Sequence, residues 1–145
     1  MLYADASVIV AAYLGDEPDH ARWHALLFEG TDPVVVSEVV RVEIASAVSG
    51  AARAGRLSHG PVLIARFEAD CAAGGPIKLL ALRSGVVVDR AVRLVQEYRL
   101  RALDALHLAV AIEDARPLAG ADAFVFATRD RYQADAAMAL GFQVA

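Results

Sequence analysis

Short runs that are apolar throughout, or apolar apart from Lys78 and Gln143, recur along this chain, and segments with helical spacing separate them. They are Leu2–Ala4, Val34–Val36, Ile77–Leu82, Phe124–Ala127 and Phe142–Val144. Runs that are apolar throughout predict strands buried on both faces, and helices between strands are the usual crossovers of a parallel sheet. We therefore predict an α/β fold with three layers, α/β/α, in which a central, mostly parallel sheet lies between two layers of helices.

Prolines, glycines and small polar residues mark the expected helix ends. The predicted helices run from Ser7 to Leu14, Pro18 to about Phe28, Ser37 to near Gly55, Gly60 to about Ala73, Asp89 to about Tyr98, Leu103 to Glu113 and Arg131 to Leu140. Ser37 and Asp89 are placed as N-caps, because short polar side chains accept hydrogen bonds from the first free backbone N–H groups. Val86–Val88 either extends the third strand or leads into the next helix.

Length and composition limit the class of protein. The 145 residues, 57% of them hydrophobic, suit one domain over residues 1–145. The single cysteine, Cys71, excludes an intramolecular disulfide framework and a cysteine-based zinc cluster. No apolar run approaches the roughly 18 residues of a membrane span, and the N-terminus lacks the basic region of a signal peptide. We expect a cytoplasmic protein that does not enter membranes.

The formal net charge of −4 restricts how this chain can meet nucleic acid. Proteins that hold nucleic acid by bulk charge neutralise its phosphates with lysine and arginine. An acidic chain is poorly suited to that mode. The charge leaves open a contact with nucleic acid that is made through metal ions.

Two aspartates follow predicted strands closely. Asp5 follows the first strand, and Asp130 follows the Phe124–Ala127 strand after Thr128 and Arg129. The carboxyl ends of parallel strands meet at one edge of the sheet, where ligands of such folds bind. Each aspartate also precedes a predicted helix, so a plain capping role is an equally good interpretation of either one alone.

Two further acids occupy unusual positions on helices. Glu43 lies three residues after Val40 and next to Ile44, on or beside the apolar stripe of its helix. A carboxylate there needs a partner, and a salt bridge to Arg41 or a distant arginine is the alternative interpretation. Asp104 begins a strongly apolar helix, where the helix dipole alone would favour an acid.

Taken together, the four acids favour a metal site. Crowded carboxylates repel one another and raise one another's pKa, and a divalent cation relieves that repulsion. Oxygen ligands without cysteine favour Mg²⁺, or Mn²⁺, over zinc. A metal held by carboxylates suits phosphodiester hydrolysis, because the ion polarises a phosphoryl oxygen and activates a water.

Four segments give the chain a resemblance to a known family. They are Tyr3–Val8, Ser37–Glu43, Leu103–Ala109 and Ala127–Asp130. In this order and context they resemble the motifs of PIN-domain proteins, specifically VapC-type toxins of bacterial toxin–antitoxin pairs. The resemblance covers nearly the whole chain, while the stretch from Leu57 to Val88 contributes nothing specific.

The resemblance implies a three-layer PIN-like domain with Mg²⁺-dependent endoribonuclease activity, Mn²⁺ being an alternative ion. Asp5, Glu43, Asp104 and Asp130 match the acidic residues that bind the metal and act in catalysis. Ser7 and Thr128 match small hydroxyl residues of the family, which would hydrogen-bond an acid or a phosphate. Arg41 lies beside these motifs, and its guanidinium suits a substrate phosphate, with a surface salt bridge as an equally good interpretation. Asp122 is a weaker substitute for the fourth acid, because it precedes its strand.

The same resemblance names partners and leaves alternatives. It implies an RNA substrate, a cognate antitoxin protein and a homodimer. A PIN-domain nuclease that processes RNA without a toxin role is the nearest alternative. A non-enzymatic, Mg²⁺-binding receiver-like domain is a more distant one, since those domains need a late lysine and the only lysine here is Lys78.

Overall fold

The computed structural model describes residues 1–145 and contains one five-stranded sheet. Its strands are β1 (Leu2–Ala4), β2 (Val34–Ser37), β3 (Ile77–Leu80), β4 (Val125–Ala127) and β5 (Gln143–Val144). The order across the sheet is β3-β2-β1-β4-β5, and every neighbouring pair is parallel. The predicted α/β fold is confirmed, and the sheet is parallel throughout.

Helices fill the connections between the strands. They are α1 (Ala6–Tyr13), α2 (His20–Phe28), α3 (Val40–Arg53), α4 (Gly60–Asp70), α5 (Ser84–Glu97), α6 (Ala102–Val110), α7 (Arg116–Ala119) and α8 (Arg131–Ala139). A π-helical turn at Ala111–Ala115 joins α6 to α7. None of these helices combines the length and apolar character needed to traverse a bilayer.

Side-chain alternation along the strands divides the core into two layers. Leu2 and Ala4 of β1 pack with α1 to α4 on one face, whereas Tyr3 packs with α5 to α8 on the other. In β2, Val34 and Val36 face the first layer and Val35 the second. Successive residues of a strand point to opposite faces, so apolar runs are required where both faces are covered.

Two expected helix starts are wrong. Ser37 is the last residue of β2, and α3 begins at Val40 without a side-chain cap, although the Ser37 hydroxyl accepts a hydrogen bond from Val39 N at 3.3 Å. Asp89 lies inside α5, which begins at Ser84 and includes Val86–Val88. The buried face of α5 is formed by Val87, Ala91 and Leu94, so packing of that face decides where the helix runs.

The strand order places a crevice between β1 and β4. From β1 the chain builds β2 and β3 on one side, and it returns with β4 and β5 on the other. At such a reversal the connections leaving the two neighbouring strands diverge, and ligands bind beyond the strand ends there. Asp5 follows β1 and Asp130 follows β4, so both lie at this crevice.

An acidic pocket at the carboxyl edge of the sheet

One open pocket collects all four acids that the sequence singled out. It has a volume of about 310 Å³ and is lined by Asp5, Glu43, Asp104 and Asp130, together with Ser7, His107, Arg101 and Arg129 among other residues. These acids come from four separate elements, namely the end of β1, α3, α6 and the start of α8. The fold therefore brings together residues up to 125 positions apart in the chain.

Asp5 is held on both of its oxygens. Its Oδ1 accepts hydrogen bonds from Ser7 Oγ at 2.7 Å and from Val8 N at 3.0 Å, and Thr128 Oγ1 lies 2.8 Å from Oδ2. The carboxylate thus caps α1 and also lines the pocket, so the two interpretations of this residue are compatible. Burial raises the pKa of Asp5, although the neighbouring His107 and these hydrogen bonds oppose the rise.

Thr128 connects Asp5 to the acids on the other side of the pocket. Its Oγ1 lies 2.6 Å from Gln133 Oε1 as well as 2.8 Å from Asp5 Oδ2, and it accepts a hydrogen bond from Asp130 N at 3.0 Å. Gln133 Nε2 in turn donates to the backbone oxygen of Asp104 at 3.0 Å. A hydroxyl has a single hydrogen, so Thr128 donates to either Asp5 or Gln133.

Glu43 is paired with a buried histidine. Glu43 Oε2 lies 2.6 Å from His107 Nε2, and His107 Nδ1 lies 3.1 Å from the Tyr3 hydroxyl. Only 2% of His107 is exposed, and the Tyr3 ring stacks on Phe126 inside the core. With the hydrogen on Nε2, Tyr3 donates to His107 and His107 donates to Glu43. The hydrogen bonds from Tyr3 to His107 and from His107 to Glu43 thus hold the Glu43 carboxylate from the core side of the pocket.

Asp104 and Asp130 are each held by one backbone N–H group rather than by a side chain. Asp104 accepts a hydrogen bond from Arg101 N at 3.3 Å, and Asp130 accepts one from Gln133 N at 2.9 Å as the N-cap of α8. Each of these bonds uses one carboxylate oxygen. Burial raises the pKa of Asp104, and the charges of Asp130 and Asp5 raise it further. Like charges are therefore crowded within this pocket.

The donor set fits a hydrated divalent cation. No three His, Cys, Asp or Glu side chains converge closely enough to coordinate an ion by themselves. Mg²⁺ commonly keeps several waters and takes only one or two carboxylates directly, so a sparse oxygen set suits it. Burial is the main cause of the raised pKa of Asp104, and the added repulsion from Asp130 and Asp5 would fall when a cation binds between the acids.

Some expected residues lie in the pocket and others lie outside it. Ser7 lines it, and Thr128 reaches it by its hydrogen bond to Asp5. The structure does not bring Arg41 there, because its Nε forms an ion pair with Glu68 Oε1 at 2.9 Å on the surface. Glu43 pairs with His107 rather than with an arginine. Asp122 precedes β4 and is exposed, outside the pocket.

Sequence reasoning missed the roles of Gln133 and His107. Gln133 follows Asp130 by three positions, the spacing of a capping box, which could have identified it. His107 follows Asp104 by three positions and so shares a helix face with it. Its pairing with Glu43 crosses 64 positions of sequence, and no local signal reports such a contact.

Comparison with known proteins assigns the family. The PIN-domain family model matches residues 2–139. This chain belongs to the PIN-domain family. The match confirms the family resemblance and the PIN-like α/β/α fold, and it sets aside the receiver-like alternative. No curated protein sequence matches the chain.

Solved structures share this fold at low sequence identity. VapC20 of Mycobacterium tuberculosis, described as a toxin that cleaves the sarcin–ricin loop, is 16% identical with a TM-score of 0.67. The match covers 98% of this chain and 96% of VapC20. A chain of a toxin–antitoxin complex from Klebsiella pneumoniae is 17% identical with a TM-score of 0.59, covering 90% of this chain and 87% of that one.

Proposed function

We propose that this PIN-domain protein is a metal-dependent endoribonuclease that hydrolyses RNA phosphodiester bonds. The supporting observation is the convergence of Asp5, Glu43, Asp104 and Asp130 in one open pocket at the carboxyl edge of the sheet. We propose Mg²⁺ as the ion, with Mn²⁺ as a substitute, because oxygen-only ligands favour these hard cations.

We assign the four acids different roles in metal binding and catalysis. When bound, the ion would polarise a phosphoryl oxygen of the substrate and lower the pKa of a water molecule. Asp5 and Asp104 would hold the ion directly, and Glu43 would bind it or its water and accept a proton from the attacking water. Asp130 would act through water or complete a second ion site. Ser7 and Thr128 keep Asp5 in place through their hydrogen bonds.

We also propose a biological role as the toxin of a toxin–antitoxin pair. The support is the shared fold with VapC20 and with a chain of a toxin–antitoxin complex, together with the family membership. The partners would be RNA, a small cognate antitoxin and a second copy of the chain, all in the cytoplasm. A PIN-domain nuclease with an RNA-processing role is the alternative, and the absence of growth arrest on expression would favour it.

The first test is RNA cleavage by the purified chain. We expect cleavage of an RNA pool with Mg²⁺ or Mn²⁺, and its loss with EDTA and in Asp5→Asn. Asp122→Asn is the matched control, because this exposed aspartate lies outside the pocket. Cleavage that persists in EDTA and in Asp5→Asn would overturn the metal mechanism. Folded protein that cleaves none of a broad RNA pool would contradict a general endoribonuclease.

Growth measurements test the toxin role. Expression of the parent chain should arrest growth, and expression of Asp5→Asn at the same level should not. Normal growth with active parent chain would favour the RNA-processing alternative. A short open reading frame next to this one, whose product restores growth, would identify the antitoxin.

A further inference from the structure

A second cavity adjoins the acidic pocket. It has a volume of about 220 Å³ and is lined by Arg99, Leu100, Arg101, Asp104, Asp130 and Tyr132. Arg101, Asp104 and Asp130 also line the acidic pocket, so the two cavities share the wall that these residues form. A polymer with its scissile phosphate at the acids has this second cavity directly beside it.

The second cavity presents an aromatic ring to solvent. Tyr132 lies in the first turn of α8 and is 46% exposed. The Arg99 guanidinium lies over its ring, 4.7 Å from the centroid. Aromatic rings and guanidinium planes are the groups on which unpaired nucleobases stack, and a base is bound this way regardless of sequence.

Arg99 and Arg101 are not used in ion pairs. Neither has a carboxylate within 4 Å, although Asp104 and Asp130 line the same cavity. Asp104 instead accepts a hydrogen bond from the backbone N of Arg101. Most arginines elsewhere on the surface are paired, as Arg83 is with Asp114 and Arg90 with Glu113. Guanidinium groups without a carboxylate are suited to bind phosphate bidentately.

We propose that Arg99, Arg101 and Tyr132 form a nucleotide subsite for single-stranded RNA beside the scissile phosphate. A base stacks on the Tyr132–Arg99 pair, and Arg101 binds a flanking phosphate. The subsite requires an unpaired nucleotide, because a base held in a duplex cannot reach an aromatic face. This inference rests on the proposed endoribonuclease function and names the form of RNA that the site accepts.

Binding measurements separate the two contributions. A short, fluorescein-labelled single-stranded RNA of mixed sequence is titrated against Asp5→Asn, which binds without cleaving, with and without each subsite substitution. Tyr132→Ala should weaken binding by roughly 5- to 100-fold, since stacking on one aromatic ring has about that effect. Tyr132→Phe should bind like the parent because it keeps the ring, whereas Tyr132→Leu should bind like Tyr132→Ala.

Salt dependence identifies the phosphate contact. Arg101→Ala should reduce the slope of log affinity against log salt by about 0.7, the value for one phosphate contact on a single strand. Tyr132→Ala should leave that slope unchanged. Arg53→Ala is the matched control. Arg53 is also exposed and unpaired, but it lies ten residues beyond Glu43 on α3, about 15 Å along the helix axis.

The outcomes distinguish this inference from the proposed function. If Tyr132→Ala and Arg101→Ala leave the RNA affinity of the Asp5→Asn protein unchanged, the subsite is overturned. Metal-dependent cleavage by the unsubstituted chain would still support the endoribonuclease assignment. Equal affinity for a blunt RNA duplex would also overturn the subsite. If the Asp5→Asn chain binds single-stranded RNA through these residues but the parent never cleaves RNA, the subsite stands and the endoribonuclease assignment fails.

Discussion

The two halves of the acidic pocket differ in how firmly the protein holds their carboxylates. The inner pair, Asp5 and Glu43, is fixed by side chains from the core. Asp5 is 3% exposed and hydrogen-bonded on both oxygens, and Glu43 is bonded to the buried His107. The outer pair, Asp104 and Asp130, is half-buried, and each carboxylate accepts a hydrogen bond from one backbone N–H and from no core side chain.

This difference indicates that the residues around the two pairs have different functions. Groups that hold a metal work best when hydrogen bonds behind them set their orientation before the ligand arrives. The inner pair meets that condition. The outer pair lacks such support from core side chains and borders the second cavity, with Arg101 and Tyr132. Substitution of the residues behind the inner pair should therefore weaken metal binding through Asp5 and Glu43, whereas substitution of Arg101 or Tyr132 beside the outer pair should weaken RNA binding.

The largest expected effect comes from Asp5→Asn. The substitution removes one charge from the site of the ion, and the ion's contribution of several kcal/mol to the transition state corresponds to about a thousandfold in rate. Calorimetric titration should show weaker Mg²⁺ binding, while Asp122→Asn binds and cleaves like the parent. Normal Mg²⁺ affinity in Asp5→Asn would show that Asp5 does not hold the ion.

The same substitution should stabilise the metal-free protein. Burial raises the pKa of Asp5 in the folded state, so ionising it costs stability when no cation is present. Asparagine mimics the protonated acid, and its amide can donate to Thr128, whose hydroxyl then donates to Gln133.

The stability gain has a defined pH dependence. It should be absent below the ordinary aspartate pKa of about 3.9, grow as pH rises, and level off above the raised pKa of the folded state. Urea unfolding of both proteins in EDTA across this range measures it. A constant difference at all pH values would show that the ionisation of Asp5 is not its cause.

His107→Ala tests what lies behind the inner pair. It removes the donor to Glu43 and leaves the Tyr3 hydroxyl without its partner in the core. Residues that orient metal ligands typically contribute 10- to 100-fold to affinity or activity, so we expect a loss of about that size. The free energy of unfolding should fall by about 2–4 kcal/mol, from the cavity and the unpaired hydroxyl.

Tyr3→Phe is the matched variant for that experiment. It keeps the ring that stacks on Phe126 and leaves the His107–Glu43 contact intact. Its activity should stay within a few-fold of the parent. If His107→Ala loses stability but keeps both cleavage and Mg²⁺ affinity, His107 is a core residue that does not position Glu43.

Much of the fold and the membership of the pocket could be predicted from the sequence. Largely apolar runs separated by helices specify a parallel sheet, and the ends of β1 and β4 then lie at one edge. Asp5 and Asp130 could be placed there because each follows a strand within three residues. Capping and lining the pocket are also not exclusive, as Asp5 does both.

Contacts between elements that are far apart in the chain could not be predicted from the sequence. The His107–Glu43 pair joins α6 to α3, and the Arg99–Tyr132 pair joins the segment before α6 to α8. Both depend on how helices pack over the sheet. The helix starts at Ser37 and Asp89 were misplaced for a related reason, since buried apolar faces outweighed local capping preferences there.

The smallest expected effect separates the two roles of Asp130 in the outer pair. Asp130→Asn should keep the cap on α8, because asparagine caps about as well as aspartate, whereas Asp130→Ala should cost about 1 kcal/mol of stability. Both should slow cleavage by about tenfold if the carboxylate acts on the ion or its water. Asp135→Asn, an exposed position on the same helix, controls for charge. If only Asp130→Ala slows cleavage, Asp130 affects cleavage by capping α8, and its charge has no role at the ion.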